Sequence, residues 1–176
     1  MYELPTELCG HKIRSDYRVI LDIITMLDDQ ELSELDKQIF TVKILYEDSD
    51  NLEDFHEAVS QAYWFISLGD ISDKVQPRIM DWQQDFSLIV TSINRVLGTE
   101  VRAINYLHWW TFVGAYYEIG ESLFSNVINI RSKKSKGKKL ESYEQEFYQE
   151  HRDIIDLKTR YTKEEQDELD RLSLLV

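Results

Sequence analysis

Leu107-His108-Trp109-Trp110-Thr111-Phe112 is the stretch that decides how this chain folds. It lies within Ala103–Tyr117, a run with no formal charge when His108 is neutral, in a sequence otherwise dense in acids and lysines. At helical spacing Leu107, Trp110, Gly114 and Tyr117 share one face, while Trp109, Phe112, Val113 and Tyr116 cover the other. A helix apolar all round is buried, because no rotation keeps its large side chains out of water. Crossing a hydrocarbon core takes roughly 20 apolar residues, and this run is shorter. The expectation is a helix over about residues 105–119 at the centre of a soluble domain, stopped by Gly120. Leu107, His108, Trp109, Trp110 and Phe112 then form a structural signature, with His108 hydrogen-bonded inside the core. Trp110→Ala is expected to cost roughly 3–5 kcal/mol, as for any buried aromatic ring.

Helical spacing recurs on both sides. Tyr17, Ile20, Leu21, Ile24 and Leu27 form a stripe that Ser15 or Asp16 can cap. Leu35, Ile39, Val42 and Tyr46 form a second. Leu52, Phe55, Val59, Ala62 and Ile66 form a third, opened by a capping-box-like Asp50 and Glu53 and closed by Gly69. Pro77 suits a first helical position, and Ile79, Trp82, Phe86, Ile89 and Ile93 continue from it to Gly98. A short helix near Leu123–Ile130 follows. Strand signals are scarce: only Cys9-Gly10, between Leu8 and Ile13, suits a small hairpin. The reading is all-α, a single-domain bundle of about six to eight helices with at most a short N-terminal β-hairpin.

Residues 131–139 break the pattern, with Arg131, Lys133, Lys134, Lys136, Lys138 and Lys139 around Gly137 and two serines. Such a run reads as a solvated basic loop, or as a docking site for an acidic surface. Beyond it Leu140, Tyr143, Phe147, Ile154, Leu157 and Tyr161 follow alternating +3 and +4 steps, with Glu150 filling the position between Phe147 and Ile154, a narrow apolar seam on a charged helix. The seam either packs back on the bundle or binds a partner helix. Thr162 and Glu165 resemble a second capping box. The organisation expected is a helical core over 1–132, a basic loop over 133–139, and C-terminal amphipathic helices over 140–176.

With 176 residues, 43% of them hydrophobic, the chain fills one core. Its net charge of −13 argues against nucleic acid and anionic membranes and favours a basic or amphipathic protein partner. Cys9 is the single cysteine, so no intrachain disulfide is possible, and the N-terminal residues do not read as a signal peptide. Glu53 and His56 have the spacing of di-iron bundle proteins, which need two such motifs; no second copy occurs, and no metal is expected. No phosphate loop, nucleophile elbow or zinc spacing is found either. The expectation is a protein without catalytic residues or cofactor.

The run Tyr106-Leu-His-Trp-Trp-Thr-Phe, with Tyr116-Tyr-Glu-Ile-Gly-Glu-Ser-Leu-Phe-Ser and Ile130-Arg-Ser, resembles the bacteriophage gene product fifteen family. Asp16-Tyr-Arg-Val, Tyr63-Trp-Phe-Ile-Ser-Leu-Gly-Asp and Phe147-Tyr agree with it. The resemblance implies a protein of phages and prophages of Gram-positive bacteria, encoded among the tail genes beside the tape measure gene. That position implies a tail assembly chaperone, a homo-oligomer in the bacterial host cytoplasm whose partners are the tape measure protein and the tail tube protein. A structural tail protein retained in the virion, or a non-enzymatic helical adaptor acting on a host protein, are the alternatives.

Overall fold

A computed structural model describes residues 3–70 and 77–159, together with Thr162, Glu165, Asp167, Glu168, Arg171 and Leu172. The chain opens on the antiparallel hairpin β1 (Glu7–Leu8) and β2 (His11–Lys12), with Glu7 opposite Lys12 and Leu8 opposite His11. Cys9 and Gly10 both take positive φ (51° and 77°), the two-residue turn whose twist matches the flanking strands. Beyond β2 the chain runs to α1 (Tyr17–Leu27) and to α2 (Glu34–Leu45), which packs against it. Ile13 bridges to Tyr46, and the Arg14 guanidinium donates to Ile44 O (2.9 Å) and Tyr46 O (2.6 Å). A cation there satisfies carbonyls that a helix C-terminus leaves orphaned.

Of the two candidates, Asp16 and not Ser15 caps α1, accepting from Arg18 N at 3.0 Å. Its other oxygen reaches across the fold to Leu107 N at 3.0 Å. Two backbone bonds complete this joint: Tyr17 N to Leu107 O at 2.9 Å and Trp109 N to Ser15 O at 2.8 Å. They tie the start of α1 to the start of α5 (Trp109–Tyr117). Tyr17 then stacks on Phe112, with centroids 4.4 Å apart and planes 6° from parallel. Helix α5 is therefore shorter than expected, with Leu107 before it and His108 as its N-cap. Its burial is also one-sided: Trp109, Phe112, Val113 and Ala115 face inward, whereas Gly114 is exposed and Tyr117 is 73% exposed. Composition alone suggested burial all round; packing covers one face.

Between these lie α3 (Phe55–Ile66) and α4 (Phe86–Leu97). Asp54, not Asp50, caps α3, accepting from His56 N and Glu57 N. The exit of α3 has Leu68 N bonded to Phe65 O and Gly69 N to Trp64 O, the crossed pair of a Schellman ending. Leu68 holds a left-handed φ of 59° there, and a Cβ on Gly69 (φ 81°) would meet the Trp64 ring at 3.2 Å. Helix α4 begins at Phe86 rather than Pro77. Asp81 Oδ1 accepts from Gln83 N and Gln84 N, so the backbone is held in a local turn where a helix was expected. Gly98 ends α4 in the left-handed conformation, as predicted.

The C-terminal third departs most from expectation. Helix α6 spans Leu123–Ser135, opened by a Ser122/Ser125 capping box, so Arg131, Lys133 and Lys134 are helical and not in a loop. Gly137 (φ 64°) closes it, with Lys138 N bonded to Lys133 O and Gly137 N to Lys134 O. The apolar seam is interrupted too: α7 (Ser142–Glu150) ends at His151, and a short α8 (Arg152–Ile155) starts afresh. The break turns the inward face by one position, so Ile155 is buried and Ile154 only half-buried. Thr162 and Glu165 do exchange capping bonds; Tyr161 lies outside the described residues.

Candidate partner interface

The double-tryptophan motif serves the fold rather than a ligand. Trp109 Nε1 donates to Ile66 O and Trp110 Nε1 to Phe65 O, each at 2.9 Å. With Ser67 N on Tyr63 O and Gly69 N on Trp64 O, all four terminal carbonyls of α3 gain donors. His108 is 4% exposed; its Nδ1 accepts from Trp110 N at 3.1 Å, which leaves the proton on Nε2 to donate to Pro5 O at 3.0 Å. The stretches around Asp16, Trp64 and Trp109 therefore meet at one joint of α1, α3 and α5.

A second joint forms around Arg131, which is 5% exposed. All five of its N–H groups are used. Nη1 and Nη2 fork onto Asp85 at 2.6 and 2.9 Å, and the remaining donors go to Ile79 O, Ile154 O and Ile155 O. Lys133 Nζ lies 2.5 Å from Glu144, a buried carboxylate that also accepts from Asn129 and Glu141 N. Lys134 pairs with Asp156 at 2.6 Å and sits 3.8 Å over the Tyr148 ring. Three of the six basic residues thus hold the C-terminal arm in cis; Lys136, Lys138 and Lys139 are exposed. Of the seam, Leu140, Phe147 and Ile154 pack against a small cluster of Val127, Ile130 and Ile155; Leu157 is half-buried and Tyr143 is 64% exposed.

Ion pairs pin this arm beside its small apolar cluster, which gives it a pH signature. The Lys133 ammonium, with the Glu141 N–H and Asn129, holds the Glu144 carboxyl below its ordinary range. Burial pushes Asp156 up, but Lys134, Tyr148 and Arg152 outweigh it and leave that carboxyl lowered as well. A depressed folded-state pKa contributes stability that is present above the unfolded value and lost as pH falls through the folded one. Below about pH 4, where free carboxyls begin to protonate, amides of α7 and α8 should therefore lose hydrogen-exchange protection before those of α1 and α5. Equal protection of arm and core at pH about 3 would contradict this.

Open grooves also mark the surface of the described residues, two of them with large apolar walls. One, of about 450 Å³, runs between α1 and the segment before α4, lined by Tyr17, Leu21, Asp22, Thr25, Trp82, Gln83 and Phe86. The other, of about 500 Å³, lies over Tyr116, Tyr117, Phe124 and Ile128. Sequence reasoning assigned most of these residues to core stripes, and no local signal marks a groove whose walls lie sixty positions apart. Cys9 is exposed in its turn, and partial burial followed by Glu57 pushes its thiol pKa up, away from nucleophilic use. Among the described residues no group of three or more His, Cys, Asp or Glu is placed to hold a metal, and no helix is long and apolar enough to cross a membrane.

A family profile described as "Bacteriophage Gp15 protein" matches residues 3–157, which takes in every element from β1 to α8. No curated protein and no solved structure matches the chain.

Proposed function

Because the chain belongs to the bacteriophage Gp15 family, we propose that it is a non-enzymatic tail assembly chaperone. In this reading it binds the tape measure protein in the host cytoplasm, as a homo-oligomer, before tail tube subunits polymerise around that protein. The observation that carries the proposal is the family match along the whole folded domain, joined to the tail-gene position that the resemblance implies. The surface suits the task. Tyr117, Tyr143 and Leu35 stand 73%, 64% and 61% exposed on a chain of net charge −13. Exposed apolar side chains can cover stripes of a helical client, while the charge keeps the complex from aggregating.

Co-expression with the tape measure protein of the same phage, followed by affinity capture, tests the reading. The two proteins should co-purify, the tape measure protein should stay in the supernatant, and purified virions should lack this chain. Its presence in virions would instead make it a structural tail protein. Capture of a host protein with no tape measure protein would make it an adaptor.

A further inference from the structure

We propose that the groove between α1 and the Trp82–Phe86 segment docks one apolar row of a partner's basic amphipathic helix. The inference rests on the chaperone reading only for the partner's identity, the tape measure protein; the chemistry comes from the groove. Tyr17, Leu21 and Thr25 recur every fourth position along α1, so the groove follows two helical turns, roughly 12 Å. That length suits anchors at i, i+3 or i+4, and i+7, with Leu21, Trp82 and Phe86 supplying apolar wall.

The charge on its walls selects the partner's flanks. Asp22 lines the apolar part, and past Thr25 and Gln83 a second hollow of about 450 Å³ continues it, where Asp29 stands beside Gln30 and Thr162. The cation in the apolar part, Arg18, is engaged by Asp16 at 3.1 Å and by Ile104 O at 2.5 Å. An acidic rim on an apolar groove favours lysine and arginine beside the anchors and repels polyanions. A second copy of this chain is a poorer occupant. Arg131, Lys133 and Lys134 are engaged in cis, and the exposed lysines that follow them in the basic run, Lys136, Lys138 and Lys139, are not interleaved with apolar anchors.

The test is fluorescence anisotropy with a labelled helical Leu/Lys peptide, its Leu/Glu counterpart, and peptides tiling the tape measure protein. The wild-type chain should bind the Leu/Lys peptide and not the Leu/Glu one. Asp22→Lys/Thr25→Arg should weaken binding at least about tenfold, and the charge-matched control Glu47→Lys/Glu146→Gln should leave it within about twofold. Gln83→Arg, exposed on the opposite wall, gives an independent variant should the first not fold. Absence of Leu/Lys binding to the wild type, or equal binding by groove variants and control, overturns the proposal. Self-association lost in the groove variants without any peptide would also overturn it, in favour of a second copy. If the Leu/Lys peptide binds in the groove and no tape measure peptide does, the groove stands and the client reading fails. Tape measure peptides that bind all variants alike leave the client reading intact and overturn the groove.

Discussion

Trp109→Ala is expected to destabilise the fold by about 3–5 kcal/mol, the range for removing a buried aromatic ring. Trp109 is 2% exposed, packs against Phe112 and Trp82 at centroid distances of 5.9 and 6.0 Å, and donates to Ile66 O. The substitution opens a cavity between α3, α5 and the segment before α4 and strips one α3 carbonyl of its donor. Trp109→Phe keeps most of the ring and loses the indole bond, so it should cost nearer 1 kcal/mol from the hydrogen bond, plus a packing loss. Urea unfolding would show both as a lowered midpoint at unchanged slope. The sequence directed this expectation to Trp110, but Trp110 is half-buried and lies on the outer face. Trp110→Ala should therefore be the milder of the two. If it proves the more damaging, the packing described for α5 is wrong.

Arg131→Met is expected to cost a similar amount, about 3–5 kcal/mol, because it strands a buried carboxylate. Asp85 is 1% exposed and accepts both arms of the Arg131 fork, while the carbonyls of Ile79, Ile154 and Ile155 lose their donor as well. Arg131→Lys should not rescue it, since an ammonium cannot reproduce a planar five-donor fork. Arg131→Met/Asp85→Leu should recover part of the loss by removing the stranded charge, although Asp81 N then loses its acceptor on Asp85. Hydrogen exchange should show the loss first in α7 and α8. Uniform loss across α1 and α5 would show that the arm and the core unfold as one unit.

The two substitutions separate what kinds of information the chain carries. Asp16, Gly98 and the Cys9-Gly10 turn were legible because each acts on backbone within a few positions of itself. Tyr17, Val42, Val59 and Ile89 were legible as core because helical periodicity aligns them on one face. The interior role of His108 was expected, and the structure adds that its ring caps α5. The basic run was misread for the same local reason. Six cations in nine positions look solvated, and nothing near Arg131 in sequence shows that Asp85 will meet it forty-six positions away. The failed start at Pro77 is similar: the stripe from Ile79 fits a helix, but Asp81 holds its own neighbours in a turn.

By itself the sequence determined an all-helical chain with a small N-terminal hairpin, the family to which it belongs, and the inward residues of most helices. The helices and their inward residues follow from side-chain period and from local caps, and the family from the resemblance of the motifs around Asp16, Trp64 and Trp109. Tertiary structure alone decided that the tryptophans close the end of α3, that Arg131 holds the arm, that the seam breaks at His151, and that a groove lies along α1. Each of those depends on a donor finding an acceptor, or a wall finding its opposite, across tens of residues. A hydrogen bond or a cavity is defined by distances in space, and local spacing carries no record of them.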